Sequence, residues 1–232
     1  MIAPSAHSIP ATAPSATAKS PGPGRPKDLG KRTAILDVAK RLFPIHGFDG
    51  VSMDHIAAEA SVSKLTVYSH FGDKESLFIA AIGARCEEQL PATLFLGDLQ
   101  GGLREQLAAI ASAFFALAIS DEAIAMHRMM TMPGTGDSRA RELFWQAGPQ
   151  RIKEEFADFL RARMALGELD VDDAYRAASQ FFCLLKGEPH MQLLCGMHAH
   201  PPAQDEIERH LTATIDMFLR AYARRDDGAA SV

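Results

Sequence analysis

Apolar side chains at Ile35, Val38, Ala39, Leu42 and Phe43 recur at the three- and four-residue intervals of one helix face, with Lys31, Arg32, Lys40 and Arg41 off it. The pattern predicts a first amphipathic helix. Pro44 removes a backbone donor near its last turn, and Gly47 follows as a stop. Ser52 is placed as an N-cap for Met53 to Ala60, where Met53, Ile56, Ala57 and Ala60 share a face. After Ser61 and Val62, Ser63 is a second N-cap for Lys64 to Phe71, in which Val67 and Phe71 are one turn apart. Gly72 ends that segment. Asp73 opens another whose buried side is Leu77, Phe78 and Ala81.

Two short helices joined by about three residues are too small to bury their own apolar faces and need a third to pack on, which the first helix supplies. That is the helix-turn-helix arrangement, whose second helix enters the major groove. The remaining chain reads as helix near 74–90, 101–119, 121–131, 138–165, 171–186 and 203–224, with no sustained alternation of a strand. Ile207, Leu211, Ile215, Phe218 and Tyr222 mark the last segment most clearly. The expected fold class is all-α: an N-terminal three-helix helix-turn-helix domain followed by a C-terminal helical domain.

Composition refines this picture. The 232 residues are 47% hydrophobic and 23% charged, enough for a substantial core. No run of about 18 uncharged apolar residues occurs, so no membrane span is expected. Cys86, Cys183 and Cys195 are an odd set at wide spacing, which fits a reducing cytoplasm. Cys183, between Phe182 and Leu184, is expected to be a buried, inert thiol. The formal charge of -5 argues against a nucleic-acid partner only as a sum. From Lys19 to Arg41, seven basic side chains face two acidic ones, a local +5, while residues 73–232 carry -8. The expected division is a disordered Ala/Pro/Ser tail over 1–23, a basic arm over 24–30, the helix-turn-helix domain over 31–90, a helical ligand-binding and dimerisation domain over 91–225, and a flexible terminus over 226–232.

The run Leu42-Phe43, His46-Gly47-Phe48, Ser52-Met53, Ile56-Ala57, Val62-Ser63-Lys64, Thr66-Val67-Tyr68, His70-Phe71, Lys74-Glu75 and Leu77 resembles the DNA-binding domain of the TetR family of bacterial repressors. Gln180-Phe181-Phe182 through Leu184-Leu185-Lys186-Gly187 is similar to the AefR-like branch. The resemblance implies a homodimer that binds a palindromic operator in double-stranded DNA and is released by a small-molecule effector, partly apolar in character. Leu65 departs from the small residue most common in the family at that position.

Lys64, Leu65 and Thr66 open the second helix of the pair, where side chains reach base edges. Lysine donates to guanine, and leucine or a threonine methyl touches thymine. Tyr68 and His70 point outward by helical count and suit phosphates. Ser52, Ser63 and Lys74 sit at helix starts, where free amides favour phosphate. Lys31 and Arg32 extend the basic surface, and Gly24-Arg25-Pro26-Lys27 resembles the core of an AT-hook, placing Arg25 in a minor groove. Met126, His127, Met130 and Trp145 are candidates for an effector pocket. Phe181, Leu184, Leu185, Leu211, Ile215 and Phe218 are candidates for the dimer face, since a two-fold operator requires two readers. Cys195, His198 and His200 make a poor zinc site without a fourth ligand. No nucleophile with a base and no phosphate-cradling loop points to catalysis. No metal, catalytic residue or cofactor is expected, and localisation is expected to be cytoplasmic and nucleoid-associated. The rival readings are a non-specific DNA-coating protein and a metal-dependent enzyme.

Overall fold

The computed structural model of the chain describes residues 28–96, 101–131, 138–198 and 200–224. The tail, Arg25 with the rest of 24–27, and the 226–232 terminus lie outside them. Among the described residues the fold is all-helical, apart from one isolated antiparallel bridge between Leu169 and Ala223.

Helix α1 (Leu29–Gly50) starts where the Asp28 carboxylate accepts the amides of Gly30 and Lys31 at 3.1 and 3.3 Å, satisfying donors that a helix start leaves open. Its predicted stripe, Ile35 through Phe43, is buried. Pro44 is tolerated inside the helix, and the break falls at Gly47 with φ +74° and ψ 174°. A Cβ at Gly47 would lie 2.8 Å from Met129 Sδ on α7 (Asp121–Thr131). That backbone region penalises a side chain by about 1–2 kcal/mol. Gly47→Ala is therefore expected to lower stability by about that amount in a urea titration, and an unchanged midpoint would contradict the account.

Helices α2 (Met53–Glu59), α3 (Lys64–Phe71) and α4 (Lys74–Gln89) complete the N-terminal half. Phe78 of α4 meets Phe43 edge-on at 4.9 Å and Phe48 at 5.2 Å, which locks α4 to α1. The rest of the chain builds a helical body from α5 (Thr93–Leu96), α6 (Leu103–Ala118), α7, α8 (Ser138–Trp145), α9 (Arg151–Ala165), α10 (Ala174–Leu194) and α11 (Gln204–Tyr222).

Two prolines reshape the expected segments. The single helix over 138–165 is divided by a π-helical turn, Gln146–Gln150, whose wider register accommodates Pro149. The helix expected to end at 186 continues to Leu194 through a kink at Gly187, φ +48°. Pro189 has no N–H for the carbonyl four residues earlier, that of Leu185. His210 Nε2 of α11 donates to that carbonyl instead, at 2.8 Å, and thereby ties the two helices together.

Packing corrects the expected dimer face. Phe181, Leu185, Leu211, Ile215 and Phe218 are buried inside the protomer, and only Leu184 is exposed. Their four-residue stepping marks an apolar stripe, and that stripe turns into the chain's own core. Phe156 of α9 is its centre: fully buried, stacked on Phe181 at 4.8 Å and Phe159 at 5.5 Å, and beside Phe182 at 5.0 Å. Cys183 is likewise exposed, against the expectation of a buried thiol, and faces a cavity rather than the packed core. Cys86 is the buried cysteine, and burial pushes its thiol up to about 11.

Candidate functional site

Helix α3 is held rather than merely formed. Ser63 Oγ accepts from Thr66 N at 3.1 Å and shares a hydrogen bond with Thr66 Oγ1 at 2.8 Å, while Ser52 Oγ accepts from His55 N at the start of α2. Both serines thus serve as the caps the sequence suggested. Val67 and Phe71 anchor the inner face of α3, and its outer face presents Lys64, Leu65 and Tyr68. Leu65 is 78% exposed, an apolar side chain that contributes nothing to the protomer's packing. Lys64 Nζ lies 2.8 Å from Asp54 of α2 and 6.0 Å from the Tyr68 ring centroid, so a carboxylate holds its ammonium over the outer face.

Two predicted phosphate contacts are placed differently. The Lys74 ammonium turns inward, donating to the Phe48 and Val51 carbonyls at 2.8 and 3.1 Å and lying 4.2 Å from the Phe48 ring centroid. It satisfies the carbonyls at the end of α1, a task that a residue opening α4 does not announce in sequence. His70 is half-buried against Phe71, with Nδ1 enclosed and unpartnered among the described residues. The helical count that turned it outward ignored its place in the last turn of α3, beside the buried Phe71. Lys31 and Arg32 are exposed on α1: Lys31 faces Asp28 at 3.5 Å and the Arg32 guanidinium lies 4.9 Å from the Phe71 ring centroid.

Beneath this unit lies a cavity of about 430 Å³, within the small-molecule range. Met126, His127, Met130 and Trp145 all line it, with Trp145 half-exposed at its edge. The remaining wall comes from both halves of the chain: Lys40, Phe43 and Pro44 of α1, Ile82 and Arg85 of α4, Phe114 of α6, and Phe182 and Lys186 of α10. His127 Nδ1 donates to Ala123 O at 2.9 Å, and its ring stands edge-on to Phe144 and to His190. Burial holds the His127 imidazole below its ordinary range, with the Lys186 charge adding to the effect. Sequence reasoning did not place Lys186 or Lys153 in the wall: a lone lysine among apolar residues, like Lys186, and one in a charged run, like Lys153, both read as solvated surface. The spacing of Ser179, Phe182, Cys183 and Lys186 nonetheless follows one helix face.

A capped two-helix reader braced by α1 and α4, joined to a helical body that encloses a cavity, defines a two-part helix-turn-helix regulator. Residues 35–81 match the family described as bacterial regulatory proteins, tetR family, and residues 105–224 match the AefR-like transcriptional repressor C-terminal domain. The chain belongs to the TetR family of bacterial transcriptional regulators. It is similar to the HTH-type regulator YdeS of Bacillus subtilis, 38% identical over 29% of this chain and 34% of that one, so it spans about a third of that relative's length. The Escherichia coli K12 repressor ComR is 28% identical over 71% of this chain and 80% of its own. Among solved structures, the flavonoid-responsive regulator FrrA is 32% identical with a TM-score of 0.66, covering 84% of this chain and 98% of its own. These relatives are regulators rather than enzymes. Among the described residues, no single helix is long and apolar enough to cross a membrane.

Proposed function

We propose that the protein is a homodimeric repressor, acting at the nucleoid in the cytoplasm, that reads a palindromic operator through α3 and is released when a small molecule fills the cavity. The observation that carries this reading is the outer face of α3, where Leu65 is 78% exposed between Lys64 and Thr66 on a helix whose other face is anchored. An apolar side chain on a capped, rigid helix matches a thymine methyl, and the adjacent lysine matches guanine acceptors. Tyr68, with Lys31 and Arg32 on α1, supplies phosphate contacts, and Arg25 is assigned to the flanking minor groove. The second copy docks on the outward sides of α10 and α11, where Leu184, Met191 and Met217 are exposed.

The cavity supports effector release because α1 and α4, which brace the reader, form part of its wall. A ligand pressing on Phe43, Pro44 or Ile82 favours one setting of the reader over another, which is all that release requires. FrrA's description as flavonoid-responsive supports a small-molecule response here as well.

Genome-wide footprinting with the purified protein tests the reading. It is expected to protect discrete palindromes, and Lys64→Ala is expected to weaken the strongest by about tenfold or more, the worth of one good base contact, at an unchanged melting temperature. Protection without sequence preference would instead identify a DNA-coating protein.

A further inference from the structure

The cations around the cavity are unevenly balanced. Lys40 pairs with Asp37 and Glu88, Arg85 pairs with Glu122, and Arg141 of α8 also stands in the wall with interactions of its own. Lys186 has no carboxylate partner among the described residues, and Lys153 has none either, its ammonium lying 4.3 Å from the Trp145 ring centroid. Lys186 is half-buried, in the same wall as Phe114, Met126 and Phe182. Its neighbours His127 and His190 are imidazoles, neutral or cationic groups that offer it no negative partner, and burial favours their neutral form.

Filling such a cavity strips water from whatever it covers. An ammonium covered by a neutral ligand loses its hydration without compensation, and a cationic ligand adds repulsion in a low-dielectric wall. An anion alone turns that loss into an ion pair. We infer that the effector is an amphipathic carboxylate, with its apolar skeleton against Phe114, Met126 and Phe182 and its acid group on the Lys186 ammonium. Lys153, stacked on Trp145 at the edge, adds positive potential along the way in. This inference rests on the reading that the cavity receives the effector.

Trp145 is the chain's one tryptophan and lies in the cavity wall, so its fluorescence reports occupancy of the wild-type protein directly. The probes are 4-cyclohexylbutanoate, its primary amide and the matching amine, which share one skeleton and do not absorb with tryptophan. The acid is expected to bind about tenfold or more tightly than the amide, with the amine weakest, and to release the footprinted operator. Lys186→Met, which keeps the stem and removes the charge, is expected to abolish the acid's preference, weakening the acid while the amide binds at least as tightly as before; Lys186→Arg is expected to retain the preference. Equal affinities for acid and amide, or a preference that survives Lys186→Met, would overturn the carboxylate assignment while leaving the cavity reading intact. If no probe perturbs Trp145 or the melting temperature, the cavity reading itself fails, and the inference with it. A carboxylate that binds at Lys186 without releasing DNA would sink the effector role and leave the ligand class standing.

Discussion

Replacing Phe156 by alanine is expected to cost about 3–5 kcal/mol, the range for a buried aromatic whose cavity cannot collapse. Collapse is unfavourable here because five other rings surround the site. Phe95, Phe159, Phe181, Phe182 and Phe218 all lie with centroids within 6.4 Å of Phe156, and they are carried by four helices. The loss removes ring contacts from α5, α9, α10 and α11 at once. Since a domain's whole stability is only about 5–15 kcal/mol, such a variant should be largely unfolded at mild urea concentrations. Phe156→Leu, which keeps most of the volume, should lose much less. Paired urea titrations decide the matter: an alanine variant within about 1 kcal/mol of wild type would show that the cluster repacks.

The second large effect is a stability that falls with acid. His190 is 6% exposed, and burial, reinforced by the His127 and Lys186 charges, pushes its imidazole down to about 4. In the unfolded chain it titrates near 6.5, so between these values the unfolded state binds more protons than the folded one. Stability is therefore fully present above about pH 6.5 and is lost as the pH falls towards 4, by on the order of 2–3 kcal/mol. Carboxylates titrate in the same window, so the comparison must be with a variant. His190→Leu should lose less stability than wild type between pH 7 and pH 4.5. Urea midpoints that track in parallel for the two proteins would refute the assignment.

Legibility in the sequence followed the range of the interaction. The α1 stripe and the Ser52 and Ser63 caps depend on residues within a turn or two, and the structure places them as the spacing implies. Leu65 was readable for the same reason: the second position after the N-cap, on the face opposite Val67 and Phe71, points outward. Lys74 was not, since its partners, the Phe48 and Val51 carbonyls, lie more than twenty residues earlier in the chain. The stripes of α10 and α11 show the limit most clearly. Periodicity identifies which side of a helix is apolar, but whether that side meets its own chain or a second copy depends on how many helices surround it. The cavity was half legible: methionine and histidine in an acidic, aromatic-rich segment marked one wall, while α1 and α4 contributed the other from a stretch read wholly as a DNA reader.

That shared wall constrains how such regulators can be recombined. Lys40, Phe43 and Pro44 stand in the helix that carries the reader, yet they also shape the chamber. Grafting a relative's first 90 residues onto this body would exchange the DNA address and, in the same cut, rewrite part of the chemical sensor. A seam of two crossovers, one beyond Pro44 and one before Ala81, keeps these side chains and those of Ile82 and Arg85 with their cavity and still transplants α3. Sensing and addressing in this protein are separable modules only along that seam.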